Sequence, residues 1–163
     1  MITKQQELLI LSNLRLDSRQ SLTLLSRKIR LPVSTIHEKM RKYQSQVIRK
    51  HTTILDFAQL GYTTQVSMLL GVPKEEKELL KEYLMKARQI NSCFKINNGC
   101  DFLVEAIFHS MQEAETFVEL LESKFNLQQK QVHYIIDELK REDFLSSPDY
   151  VQLTGESSYP HKY

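Results

Sequence analysis

Ile90-Asn91-Ser92-Cys93-Phe94-Lys95-Ile96-Asn97-Asn98-Gly99-Cys100-Asp101-Phe102-Leu103-Val104-Glu105-Ala106-Ile107-Phe108 is the stretch that decides the fold. Asn97-Asn98-Gly99 is a turn signal, because Asn and Gly tolerate the positive φ angles of tight hairpins. It separates two β-prone runs, Ile90–Ile96 and Phe102–Phe108, and so predicts a β-hairpin. On its N-terminal side, Tyr62–Leu70 alternates Val66, Met68 and Leu70 with Gln65, Ser67 and Leu69 and ends at Gly71, as a strand does. Pro73 stands at a first helical position, with Glu75 and Glu76 favourable to the first-turn dipole. The helix it opens has Leu79, Leu80, Tyr83, Leu84 and Ala87 as its inner stripe. On the C-terminal side, Ser110 and Glu113 form a capping box before a helix with Ala114, Phe117, Val118 and Leu121 inward. Asn126 is placed to close that helix in the left-handed conformation, and Val132–Leu139 is the last strand. The order β-α-β-β-α-β specifies a ferredoxin-like domain over 62–142, four antiparallel strands with both helices on one face.

That arrangement leaves one sheet face open. Phe102, Val104, Ala106 and Phe108 point to one side, and Leu103 and Ile107 to the other, with members of the Leu69 and Ile135 sets. An apolar face left in water is unusual, so Leu103 and Ile107 are expected in an interface with a second copy.

Further upstream the composition changes. Residues 1–50 hold eleven Lys/Arg against three acids, a net of +8, while 51–163 hold eleven against seventeen, a net of −6. A basic head for a polyanion and an acidic body with another task follow from that asymmetry. Thr3 and Gln6 predict a capping box before a helix with Leu8, Leu9, Leu11 and Leu14 inward, Ile10 less so, ending near Asp17. Ser21 caps a second helix carrying Leu22, Leu25 and Ile29, which Arg30-Leu31-Pro32 breaks. A third runs from about Val33 to Gln44 with Val33, Ile36, Met40 and Tyr43 on one face. Three short helices with a tight break before the third predict a DNA-reading helix-turn-helix over 1–46. The third helix would present Ser34, Thr35, His37, Glu38, Arg41 and Lys42 to the major groove. Ser34 and Thr35 suit base edges, and Arg41 and Lys42 suit phosphates. The alternative, a basic trihelical bundle that binds no nucleic acid, explains the charge but not the turn spacing.

Between head and body, 47–61 reads as an extended linker with Ile48, Thr52, Thr53 and Ile54 favouring β structure. Residues 143–163, with Pro148, Gly155, Pro160 and paired serines, read as an irregular tail whose Tyr150, Tyr159 and Tyr163 are candidates to dock on a partner. The chain has 41% hydrophobic and 26% charged residues, and neither a run long enough to span a bilayer nor a secretory leader pattern, so a cytoplasmic location is the simplest reading. Cys93 and Cys100 provide no disulfide framework, and half-buried structural thiols are expected of them. His51, His109 and His133 lie on different elements without metal spacing, and no nucleophile array or phosphate loop occurs. No catalytic residue, metal or cofactor is expected.

The three-helix head, the arm ending in Leu60-Gly61 and the β-α-β-β-α-β body together resemble the leucine-responsive/asparagine-operon (Lrp/AsnC) regulator family over about residues 3–142. Arg19-Gln20-Ser21 and Leu24-Leu25-Ser26 resemble the family's second-helix signature. Leu31-Pro32-Val33-Ser34-Thr35-Ile36 with Lys39-Met40-Arg41 resembles its recognition-helix segment, and Asp101-Phe102-Leu103-Val104 the start of its third body strand. The resemblance implies a sequence-specific transcription factor on double-stranded DNA, assembled as dimers and dimers of dimers. It also implies a small effector, commonly an amino acid, bound at a loop that here reads Asn98-Gly99-Cys100-Asp101. Asn stands there for the family's glycine and Cys for its aromatic, or, in a second alignment, Gly99 is kept and one residue is lost; in both the aromatic is missing, while Asp101 keeps the carboxylate suited to an ammonium group. Pro32 replaces a capping serine, and the glycine before Val47-Ile48 is absent. Two further readings stay open: a ligand-independent architectural DNA binder, and an enzyme like the sirohaem decarboxylases of the same fold, which the acidic body disfavours.

Overall fold

Thr3 opens the first helix, α1 (Lys4–Leu16), through both halves of a capping box: its Oγ1 accepts from the Gln6 amide at 3.2 Å, and its own amide donates to Gln6 Oε1 at 2.9 Å. Ser21 caps α2 (Leu22–Ile29) in the same manner through the Leu24 amide. Arg30 ends α2 at φ 55°, in the left-handed region. Three residues later α3 (Val33–Gln46) begins behind Pro32, which supplies no side-chain cap, and it runs two residues beyond the expected Gln44. Ile10, Leu25, Leu31, Ile36 and Tyr43 form the core of these helices. Ile10, expected to be less inward than its neighbours, is fully buried, whereas Leu8 and Leu9 are half-buried. Val33, expected inward, is 41% exposed, because the first turn of α3 projects beyond that core.

The computed structural model describes residues 2–153, and the chain divides into Met1–Thr53 with Leu139–Tyr163, and Ile54–Glu138. The C-terminal segment therefore folds with the head. The expected irregular tail contains a short helix, α6 (Pro148–Leu153), that packs on α1 and buries Val151. Pro148 and Asp149 are helix-opening residues, the local reason that α6 starts there. Arg15 near the end of α1 donates to the Glu142 carbonyl at 2.6 Å and pairs with its carboxylate at 3.0 Å. Tyr159 and Tyr163 lie outside the described residues.

The arm has no strand. Without a neighbouring strand to satisfy its backbone, β propensity at Thr52, Thr53 and Ile54 produces only irregular chain, ending in a 3₁₀ turn at Ala58–Leu60 and Gly61 at φ 86°.

The body has the expected element order: β1 (Thr64–Gly71), α4 (Lys77–Lys86), β2 (Ile90–Lys95), β3 (Phe102–Phe108), α5 (Met111–Lys124) and β4 (Gln129–Tyr134). The sheet order is β2-β3-β1-β4 with every neighbour antiparallel. This is the ferredoxin-like arrangement of two interleaved split β-α-β units. Asn98 and Gly99 both take positive φ, 72° and 97°, as the hairpin requires. Val66, Met68, Leu70, Phe102, Val104, Ala106 and Phe108 meet Leu80 and Leu84 of α4 and Ala114, Phe117, Val118 and Leu121 of α5 in one core.

Four details of the body differ from expectation. A 3₁₀ turn at Lys74–Glu76 intervenes between Pro73 and α4, and Leu79 faces outward at 62% exposure because α4 turns only Leu80 and Leu84 fully inward. Glu113 accepts the His109 amide, so the box at α5 closes one residue earlier than the Ser110 cap. Asn126 does not adopt the left-handed conformation; α5 closes on Phe125 in extended conformation. The last strand begins three residues early, at Gln129, since pairing with Gly71 and Leu70 sets its register rather than its own apolar pattern. Ile136 and Leu139, expected inside it, are 99% and 90% exposed. Among the described residues, no helix is long and apolar enough to cross a membrane.

Candidate functional site

The turn between α2 and α3 is built by side chain and backbone together. Ser26 Oγ donates to the Leu31 carbonyl at 2.5 Å, and the Leu31 amide returns to the Ser26 carbonyl at 3.2 Å. Ile36 and Tyr43 hold α3 against the core, and Lys39 reaches Glu7 of α1 at 2.5 Å. The Lys39 ammonium holds the Glu7 carboxyl below its usual range. Burial, reinforced by the Glu7 carboxylate, pushes the Tyr43 hydroxyl up to about 12, so it stays neutral.

With that inner face anchored, the other side of α3 is turned to solvent. Ser34, His37, Glu38, Arg41 and Lys42 are exposed and Thr35 is half-buried. All six expected positions thus lie along one helix, with Arg49 and Lys50 exposed just beyond its end. The short polar residues sit at its N-terminus and the cations toward its C-terminus, a division that fits base edges and phosphates respectively.

The second candidate site is the hairpin loop. Asn98, Gly99, Cys100 and Asp101 line a cavity of about 450 Å³ together with Gly71, Val72, Lys77, Lys95 and Gln128. Space is tight at Gly71: a Cβ would come within 3.1 Å of both the Gly99 carbonyl and Gln129 Cβ, so these neighbours would have to give by a few tenths of an ångström. Asp101 ties three segments. Its amide donates to the Leu70 carbonyl at 2.8 Å, its carbonyl accepts the Ile96 amide at 2.9 Å, and Oδ2 accepts the Val72 amide at 3.1 Å. Its other oxygen, Oδ1, pairs with the ammonium of Lys77. That ammonium, the Val72 amide and the more distant Lys95 hold the Asp101 carboxyl below its usual range against the opposing effect of burial. The Lys77 partnership was not visible in the sequence, because nothing in the periodicity of α4 points a lysine at a loop 24 residues on.

Leu103 and Ile107 are half-buried on the open sheet face, beside Leu69 and close to Phe94 and Ile135, which are 52% and 39% exposed. Glu105, Ser67, Gln65 and His133 share that face, so it is apolar in part only. Both thiols are free and half-buried, and burial pushes Cys93 up. Among the described residues, no cluster of His, Cys, Asp and Glu could hold a metal ion.

A helix-turn-helix with an exposed polar and basic third helix, joined to a ferredoxin-like domain, defines a DNA-binding transcriptional regulator. The chain is 30% identical over 115 residues to the transcriptional regulator FL11 of Pyrococcus horikoshii, covering 70% of this chain and 76% of that relative. It is 27% identical over 115 residues to LrpC of Bacillus subtilis, covering 70% and 80%. The structure of LrpC superimposes with a TM-score of 0.77 at 26% identity over 86% of this chain and 99% of that one. A transcriptional regulator of Neisseria meningitidis, solved as its L-Met complex, matches with a TM-score of 0.78 at 20% identity, covering 86% and 94%. No family model matches the chain. The chain belongs to the Lrp/AsnC family of helix-turn-helix transcriptional regulators.

Proposed function

We propose that the protein regulates transcription as a homodimer, able to pair further into dimers of dimers, that reads duplex DNA with α3 of each head. The exposed row Ser34, Thr35, His37, Glu38, Arg41 and Lys42, on a helix pinned from behind by Ile36 and Tyr43, carries this reading. Two heads held by a symmetric dimer match a site with two-fold symmetry. Selection of bound duplexes from a random pool tests it: enrichment of a palindromic site that Ser34→Ala or Thr35→Ala alters is the expected result. Failure to retain any duplex at low salt refutes it.

The effector is the second part of the proposal. The loop Asn98-Gly99-Cys100-Asp101 is the place for a small ligand such as an amino acid, and Asp101 is its anchor. Binding is weak, because an incoming ammonium must displace Lys77 from the Asp101 carboxylate. The same ion pair favours a second reading, DNA binding without any effector, since Lys77 already supplies the cation that a ligand would bring. A thermal-shift series with each amino acid at millimolar concentration separates the two. A shift abolished in Asp101→Ala supports the ligand site, and silence from all twenty supports the ligand-independent reading. A strong shift that survives Asp101→Ala overturns the assignment of the loop.

A further inference from the structure

We infer that residues 135–142 form a second tether between body and head, shorter than the arm, and that this tether restricts the protein to DNA sites of narrow half-site spacing. The inference rests on the DNA-reading homodimer proposed above and adds what limits the reach of its heads.

The chain passes between its two units twice, after Thr53 and again after Glu138. Each passage is fastened at both ends. The arm leaves the head at Ile48, whose amide donates to the Tyr43 carbonyl at 2.8 Å. It meets the body at Gly61, whose carbonyl accepts from His109 Nδ1 at 3.0 Å. Thr63 Oγ1 donates to the His109 carbonyl at 2.8 Å, and the Tyr62 ring stacks on the His109 ring with 4.0 Å between centroids. The second passage leaves the body at Ile135, whose amide donates to the Gln65 carbonyl at 2.9 Å. It meets the head at Glu142, which Arg15 holds through both carbonyl and carboxylate, and again where α6 packs on α1 and buries Val151. Ser12, nearly opposite Ile10 around α1 and one turn before Arg15, is fully buried as well. The second anchor on the head is thus a packed contact and not a surface ion pair alone.

The two passages differ in reach. An extended chain covers at most about 3.6 Å per residue. From Ile135 to Glu142 is seven residues, so those anchors stand no more than about 25 Å apart. From Ile48 to Phe57 is nine residues, or about 32 Å, and the 3₁₀ turn up to Gly61 adds roughly 8 Å, giving about 40 Å. The shorter passage is drawn tight first as a head moves away from its body. Two attachments also limit rotation: a head on one arm pivots about a point, whereas a head held near Ile48 and near Arg15 turns only about the line between them. Half-sites placed one helical turn further apart require each head to move by roughly 17 Å, comparable with the difference between the two limits. Where a linker cannot span its two sites, the effective concentration of the second head there falls towards zero.

Two duplexes test this in the full-length protein: the selected palindrome, and the same palindrome with ten base pairs inserted between its half-sites, which preserves their face of the helix. Wild-type protein is expected to bind the widened site at least about tenfold more weakly. Ten Gly/Ser residues inserted after the exposed Glu138 leave α6 and its contact unchanged and carry the second passage past the reach of the arm. That variant is expected to bind the two duplexes within about threefold of each other. Wild type that binds both duplexes alike, or an insertion variant that keeps the wild-type preference, overturns the tether. So does relaxation seen only when the chain is ended after Glu138, since the effect then comes from packing on α1 and not from reach. A wild type that is monomeric or retains no duplex removes the reading above, and distances then decide the tether. Nitroxides on Ser18→Cys in the head and Glu119→Cys in the body, in a Cys93→Ser, Cys100→Ser chain diluted with unlabelled protein, report the separation of the two units. The Gly/Ser insertion is expected to broaden that distribution and extend it to longer distances, and an unchanged distribution refutes the tether.

Discussion

Salt dependence gives the most quantitative handle on the head. Arg41 and Lys42 on α3, and Arg49 and Lys50 just after it, are exposed cations and the candidates for phosphate contact. If all four make that contact, counterion release gives a slope of log affinity against log salt of roughly −3.6 per head, or about −7 for two heads. Raising salt from about 50 to 200 mM then weakens binding by roughly 10² for one head and 10⁴ for a dimer. Arg41→Ala removes one of these contacts from each head and flattens the dimer's slope by about 2. Ser34→Ala, by contrast, leaves the slope alone and reduces discrimination at one base pair by about 1–3 kcal/mol. Fluorescence anisotropy with a labelled duplex, repeated over a salt series, measures both quantities. A dimer slope shallower than about −2 refutes the phosphate-tracking role of these cations. So does an unchanged slope in Arg41→Ala protein that circular dichroism shows to be folded.

Three further outcomes are expected. Leu103→Glu or Ile107→Glu places a carboxylate in the open sheet face, and each should yield monomers by sedimentation; an undiminished dimer means that the face is not the interface. Asp101→Ala should cost about 1–2 kcal/mol in urea unfolding, the lower part of the range for a charge-assisted bond because Lys77 is 40% exposed. Since its partners hold the folded Asp101 carboxyl below the unfolded value, this stability is complete above about pH 4 and disappears as pH falls through the folded pKa, so wild type and variant should converge in acid. Val151→Ala removes two buried carbons from the contact of α6 with α1 and should cost about 1.5 kcal/mol, with faster amide exchange in α1; unchanged exchange counts against the docking of α6.

Much of this structure is local and was therefore legible in the chain. The box at Thr3 and Gln6, the cap at Ser21 and the turn at Asn98-Gly99 each concern groups a few residues apart, and each forms as expected. Periodicity found the buried stripes but misjudged their margins. Val33 and Leu79 have inward spacing, yet they are 41% and 62% exposed, because the first turn of α3 projects beyond the head core and α4 turns Leu80 and Leu84 fully inward instead. The early start of β4 was hidden for a different reason. Gln129-Lys130-Gln131 is a polar stretch that becomes a strand only because β1 presents an edge to it. The candidate DNA-facing residues could be placed on one helix from spacing alone. The ion pair of Lys77 with Asp101 could not, since it depends on how α4 sits against the hairpin.

The fold of residues 139–153 onto α1 gives the order of synthesis a particular meaning. The head helices emerge from the ribosome before the body, and they can form while the body is still being made. The surface of α1 that receives Val151 stays uncovered until Pro148–Leu153 has been translated. A message cut short before the codon for Leu139 would therefore produce α3, with its candidate recognition residues, on a head lacking the α6 contact. Faulty or prematurely ended chains would carry a weakened DNA-binding unit. Protease cutting within the arm has the converse effect: the N-terminal fragment is still held by the packing of α6 on α1.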